Sequence, residues 1–197
     1  MAGEYSKPDF WTRRALSEGY PARSVYKLKE MNERFSLFRR GDAVLDLGAA
    51  PGSWSAFVLR QLGGAGRVTA VDILPICAKM EEGDFTFIQG DLFDESVRDR
   101  VREGAPYDAV LCDAAPSTTG NRAVDTARSS ALVETAMGYA AVMLKSGGNF
   151  AAKLFQGSGQ GDLLKKLRED FTSARGYKPQ ACRSGSFEVY LIGLGKR

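Results

Sequence analysis

The stretch Val44-Leu45-Asp46-Leu47-Gly48-Ala49-Ala50-Pro51-Gly52-Ser53-Trp54 decides how the rest of the chain is read. A short apolar run enters a turn holding two glycines, and helical spacing begins directly after it. Strand, turn and helix in that order open an α/β sheet, where ligands bind beyond the carboxyl ends of the strands. Gly48 and Gly52 let the backbone approach a ligand and take conformations that a Cβ would forbid. The turn does not satisfy G-x-G-x-x-G. Pro51 stiffens it and removes a donor that a pyrophosphate would want, which disfavours a nucleotide-dependent oxidoreductase.

Outward from this turn, short β-branched runs alternate with longer amphipathic stretches, a pattern of α/β folds with a mostly parallel sheet. Strands are expected over 43–47, 67–72, 85–89, 107–112, 148–154, 177–181 and 188–194. Helices are expected over 24–35, 53–62, 95–103, 124–144 and 162–171. Turn residues Ser184–Ser186 between the last two strands read as an antiparallel hairpin. No internal repeat, low-complexity tract or linker interrupts the pattern.

Three of these strands end in acids. The second ends at Asp72, where a carboxylate can accept from both hydroxyls of a ribose. Beyond the third lies Asp91, placed to accept from an adenine amino group, and beyond the fourth lies Asp113. Each acid alone could cap a helix or shape a turn. Together they outline an acidic, adenosine-sized cleft suited to a cationic sulfonium.

Composition narrows the chemistry further. The 197 residues are 44% hydrophobic and 26% charged, ordinary values for a globular protein that can bury a core unaided. The start MAGEYSKPDF is too polar for a secretory signal and no apolar run is long enough to span a membrane, so a cytoplasmic address is expected. Cys77, Cys112 and Cys182 show no metal-binding or redox spacing, and no metal site is expected. There is no histidine, which removes imidazole acid–base work and the Ser-His-Asp and Cys-His hydrolases. Net charge is +3, but residues 1–40 carry nine basic residues (Lys7, Arg13, Arg14, Arg23, Lys27, Lys29, Arg34, Arg39, Arg40) against five acidic ones (Glu4, Asp9, Glu18, Glu30, Glu33). A basic end on a near-neutral body suits a polyanion docking on one face. Tyr5, Phe10, Trp11 and Tyr20 lie in that segment, either to stack on exposed bases or to pack it onto the sheet.

Four further segments carry the most specific signal. Lys27 lies in Arg23-Ser24-Val25-Tyr26-Lys27-Leu28, and Asp113 opens Asp113-Ala114-Ala115-Pro116. Lys153 lies in Ala152-Lys153-Leu154-Phe155-Gln156-Gly157, and Glu188 in Ser186-Phe187-Glu188-Val189-Tyr190. Lys27 alone would read as a surface lysine. Lys153 and Glu188 each interrupt an apolar strand, where charge is rarely placed for packing.

In order and context these segments, with the Gly-Ala-Ala-Pro-Gly turn, resemble the FtsJ/RrmJ family of RNA ribose 2′-O-methyltransferases over nearly the whole chain. The resemblance implies a Rossmann-like fold, a doubly wound, mostly parallel seven-stranded sheet with a C-terminal antiparallel hairpin strand. It implies S-adenosylmethionine (SAM) as cofactor, contacted by Gly52, Trp54, Asp72, Asp91 and Asp113, and a catalytic tetrad of Lys27, Asp113, Lys153 and Glu188. It further implies one methyltransferase domain over 1–197, with 1–40 as an RNA-facing extension, acting as a monomer without DNA or membrane. The implied substrate is a structured RNA, foremost a uridine ribose of the large-subunit (23S) ribosomal RNA. A tRNA or an mRNA cap is the alternative, as is a catalytically silent SAM- and RNA-binding ribosome assembly factor, which the complete tetrad argues against. In the implied chemistry Lys153 receives or steers the proton of the acceptor hydroxyl. Lys27 disfavours its charged form, and Asp113 and Glu188 oppose that effect. Two departures are small: Ser53 stands where a second glycine is common, and Cys182 where a small polar residue is typical.

Overall fold

The computed structural model describes residues 9–80, 83–157, 159–183 and 185–197. Glu4, Tyr5, Lys7 and Ser184 lie outside the described residues.

Helices α1 (Phe10–Ser17) and α2 (Val25–Phe35) precede strand β1 (Ala43–Leu47). Then follow α3 (Ser53–Leu62), β2 (Arg67–Asp72), β3 (Asp84–Gln89), α4 (Glu95–Glu103) and β4 (Tyr107–Cys112). The chain closes with α5 (Arg122–Met143), β5 (Leu144–Phe155), α6 (Gln160–Asp170), β6 (Phe171–Tyr177) and β7 (Glu188–Lys196). One seven-stranded sheet runs in the order β3-β2-β1-β4-β5-β7-β6. Strands β1 to β5 pair in parallel, and β7 enters antiparallel between β5 and β6.

Strand order reverses between β1 and β4, where Leu47 stands opposite Cys112. Open α/β sheets bind ligands at such a switch point. Side-chain alternation divides the core into two layers. Leu45, Leu47, Val110, Cys112, Phe150 and Leu154 point to the face covered by α4, α5 and α6. Val44, Leu111, Ala151, Tyr190 and Ile192 point to the face covered by α1, α2 and α3.

Two expectations need correction. The strand expected over 177–181 does not form beyond Tyr177: β6 is Phe171–Tyr177, and the described residues between 178 and 187 form an irregular connection. Pro179 has no N–H for a ladder, and the strand that does form, Phe-Thr-Ser-Ala-Arg-Gly-Tyr, is an edge strand with little apolar signal, held by pairing Phe171 with Lys196 and Tyr177 with Tyr190. The hairpin therefore has a connection much longer than Ser184–Ser186. Strand β5 also begins earlier than 148, because a register shift between Tyr107 and Ala109 lets it extend back to Leu144. Helix α1 was not delimited by the periodicity; Asp9 caps it by accepting from the Thr12 N–H at 2.8 Å.

The tightest backbone approach lies at the switch point. Gly48 has φ +74°, and a Cβ there would sit 2.5 Å from both Cα and N of Ala114. Gly64 has a similar φ of +72° with nothing within 4 Å. Gly64→Ala should therefore cost about 1–2 kcal/mol, the left-handed strain alone. Gly48→Ala should cost clearly more, because backbone must also move, and urea denaturation of the two variants measures the difference.

Candidate active site

Period-2 geometry sorts the candidate residues before any contact is considered. Asp113 continues the parity of Ala109 and Leu111, Lys153 that of Ala151, and Glu188 that of Tyr190 and Ile192. All three therefore face the layer that contains α2, where Lys27 resides. Register brings them to one edge: Cys112 pairs with Ala152, Lys153 with Tyr190 and Phe155 with Glu188.

The tetrad forms two ion pairs. Lys153 Nζ lies 3.1 Å from Asp113 Oδ1 and donates to the Asp113 carbonyl at 2.5 Å. Lys27 Nζ pairs with Glu188 Oε1. The four side chains are only 10–14% exposed, so each pair is shielded yet reachable by a ligand. Burial pushes Glu188 up, but the Lys27 hydrogen bond and charge, aided by Cys182 and Lys153, outweigh it and hold the carboxyl low. Burial and the Glu188 carboxylate push the Cys182 thiol up to about 12, so it stays an S–H donor beside the tetrad.

Sequence reasoning missed two residues here. Tyr190 donates from its hydroxyl to Asp113 Oδ1 at 2.7 Å, and its ring stands 5.9 Å from that of Trp54. An aromatic in a strand reads as core, and only the Asp113 contact distinguishes it. The other is Asp46, which is fully buried and takes the Ser55 hydroxyl on Oδ2 at 2.6 Å, while Oδ1 has no partner. An acid inside Val-Leu-Asp-Leu was the available signal.

Around the glycine turn the strand-end acids are structural as well as exposed to a ligand. Asp72 accepts from Ala50 N–H on Oδ2 and from Leu74 N–H on Oδ1, each at 2.8 Å, tying the turn to the end of β2. Asp91 accepts from Phe93 N–H at 3.0 Å and is exposed. Gly52 caps α3 with φ +105°, and a Cβ would meet Ala78 and Ile76 at 2.7 Å. Trp54 points inward: it is buried, and its indole N–H donates to the Ser24 carbonyl at 3.0 Å. Of the N-terminal aromatics, Tyr20 is buried and Trp11 packs against Tyr26, whereas Phe10 is exposed.

The residues fit a cationic cofactor. Burial, then repulsion from Asp113 and Asp72, pushes Asp46 up to about 7 against the help of Ser55. Among the described residues Asp113 has Lys153 beside it, but Asp46, Asp72 and Asp91 have no cation paired with them, and a sulfonium and an amino-acid ammonium would both bring positive charge to this cleft. Acids in place of a pyrophosphate loop at the switch point put the chain in the class of SAM-dependent methyltransferases.

Comparison with known proteins narrows the class. A model of the FtsJ-like methyltransferase family matches residues 20–196. Ribosomal RNA large subunit methyltransferase E of Treponema denticola is 58% identical over 191 residues, 97% of this chain and 96% of that protein. The protein of the same name from Bdellovibrio bacteriovorus is 40% identical over 196 residues, 98% of this chain and 99% of its own. A ribosomal RNA methyltransferase of Plasmodium falciparum superposes with a TM-score of 0.77 at 24% identity, covering 90% of this chain and 98% of that one. A TehB-like SAM-dependent methyltransferase of Corynebacterium glutamicum gives 0.57 at 18% identity, over 93% and 94%. These two superpositions speak for the fold. The chain belongs to the FtsJ-like methyltransferase family.

Asp46 makes stability pH-dependent. An unfolded aspartate titrates near ~4. Between about pH 4 and the folded value of about 7, the folded state keeps a proton that the unfolded chain has lost. This contribution to stability is therefore full below that window and is lost as pH rises through it. Asp46→Asn, which mimics the protonated form, should be more stable than wild type by roughly 4 kcal/mol at pH 8, about three pKa units at ~1.4 kcal/mol each, and equal to it near pH 4. Urea denaturation across that range checks both the sign and the window.

Proposed function

We propose that the chain methylates a ribose 2′-hydroxyl of RNA, with a uridine of the large-subunit ribosomal RNA as its target. The observation that carries this reading is Lys153, a lysine on a buried strand with its Nζ held against Asp113 at the end of β4. The relatives named as ribosomal RNA large subunit methyltransferases, similar over almost the full chain, support the choice of RNA.

SAM, when bound, supplies a methyl group already activated on a sulfonium. The chain's own task is to align the acceptor oxygen and to deal with its proton. Asp72 and Asp91 would hold the adenosine, and Asp113 would face the cationic end, with Asp46 buried behind the turn. Gly52 supplies the left-handed turn against which Ile76 and Ala78 pack, and Trp54 braces α3 against α2 from behind. Asp113 takes two of the contacts available to Lys153 Nζ, which leaves that nitrogen one position toward the acceptor hydroxyl. Neutral, Lys153 has its lone pair there and receives the departing proton; charged, it donates its third N–H there and only steers the hydroxyl. Lys27 and Glu188, paired at the side, orient the ribose. Tyr190 fixes the Asp113 carboxylate through its hydroxyl.

Residues 1–197 act in this reading as one methyltransferase domain, monomeric and cytoplasmic, with the basic segment 1–40 facing RNA. No described helix is long and apolar enough to cross a membrane.

Labelled methyl transfer from SAM to large ribosomal subunits and to bulk tRNA, both from cells lacking the enzyme, tests the proposal. Label at a 2′-O position of large-subunit RNA is expected, and label in tRNA alone would overturn the substrate. Lys153→Ala should lower kcat by about 10²- to 10⁴-fold, the usual weight of a positioned proton acceptor. SAM affinity, measured by calorimetry, should stay unchanged. Tyr190→Phe should cost kcat far less, since only the orientation of Asp113 is loosened.

A further inference from the structure

A groove of about 580 Å³ lies outside the site described above, between α1, α2 and the start of the 178–187 connection. Tyr26, Lys29 and Arg34 reach it from α2, Trp11 and Arg14 from α1, and Tyr177 from the end of β6. The α2 residues recur at helical spacing, so they form one face about 12 Å long at ~1.5 Å per residue.

Two features of this groove point to a ligand class. Guanidinium groups lie over aromatic rings at both ends. Arg14 Cζ stands 5.1 Å from the ring centre of Tyr26, and Arg34 Cζ stands 5.2 Å from that of Tyr177. Arg14 is already paired with Glu18, whereas the exposed Arg34 beside the Tyr177 ring matches the two parts of a nucleotide, a base that stacks and a phosphate that accepts in-plane N–H bonds. The principal acid of the groove is also turned away: both Glu30 oxygens accept from the backbone N–H groups of Gln180 and Ala181, and one also takes the Tyr177 hydroxyl. Glu33 remains at the rim.

Two lining residues adjoin the tetrad along the chain. Tyr26 is the neighbour of Lys27 on α2, and Ala181 at the groove's inner end precedes Cys182, whose thiol meets Glu188. A strand of RNA leaving the site along α2 would lie in it.

We propose that this groove binds a single-stranded nucleotide flanking the methylated one, its base against Tyr177 or Trp11 and its phosphates on Arg34 and Lys29. The inference rests on the RNA substrate proposed above.

Arg34→Glu tests it in the full-length protein, because Arg34 is exposed and its loss leaves no buried charge. Arg100→Glu serves as the control, an exposed arginine of α4 beside the amino-terminal ends of β2 and β3, at the opposite rim of the sheet. Fluorescence anisotropy of a labelled uridine decamer at low salt measures binding, and methylation of large subunits gives KM and kcat. Arg34→Glu should weaken decamer binding and raise KM for subunits at least tenfold, with kcat and SAM affinity within twofold of wild type. It should also reduce the slope of log affinity against log salt by about 1. Arg100→Glu should change none of these. Equal decamer binding by wild type and Arg34→Glu, or equal weakening by Arg100→Glu, would overturn the groove. Wild-type enzyme that binds the decamer but leaves subunits unmethylated would instead overturn the substrate, and the decamer comparison would still judge the groove.

Discussion

The backbone of Ala114 passes Gly48 so closely that no side chain fits between them. At this contact the turn after β1 and the turn after β4 close on each other, and Asp113 N–H donates to the Leu47 carbonyl at 3.0 Å. The glycine turn and Asp113 thereby share one location at the switch point. From there β4–β5 register sets Lys153 beside Asp113, and β5–β7 register brings Tyr190 and Glu188 alongside. Displacing Gly48 would shift the whole array, since every later member is referred to Asp113.

Charge placement follows from that crowding. Five ionisable side chains, Lys27, Asp46, Asp113, Lys153 and Glu188, sit in shielded positions near one rim. Desolvated charges survive only when paired or neutralised. Four of them pair, Lys27 with Glu188 and Lys153 with Asp113. Asp46 has only a serine, and its carboxyl is driven toward the neutral form in response. A cationic ligand in the cleft would favour the charged carboxylate again, so occupancy of the site and protonation of Asp46 are coupled.

Helix α2 connects the rim to the edge of the sheet. Arg23, at the turn leading into it, donates to the Ala181 carbonyl at 2.6 Å, and Glu30 holds the N–H groups on either side of the Gln180–Ala181 bond. Lys27 lies between them in sequence and pairs with Glu188. The irregular connection 178–187 is thus clasped by the same helix that supplies a tetrad lysine. An unpaired strand edge and a long loop would otherwise leave Glu188 poorly placed at the start of β7.

Taken by itself, the sequence determined the sheet class, the parallel strands β1 to β4 and most helices, because buried strands and amphipathic helices leave strong local periodicity. Lys153 and Glu188 stood out as charges inside apolar runs, whereas Lys27 was singled out only by the family resemblance. It did not contain the start of β5, the place of β6, the bounds of α1 or the roles of Tyr190 and Asp46. An edge strand such as Phe171–Tyr177 is fixed by hydrogen bonds to a partner far along the chain, which leaves no local pattern. Tyr190 and Asp46 are ordinary in composition; the first matters through a hydroxyl that meets Asp113 across the sheet, the second through burial beside other carboxylates. Pairing, burial and mutual electrostatics between distant residues exist only once the chain has folded, and the tertiary structure alone decided them.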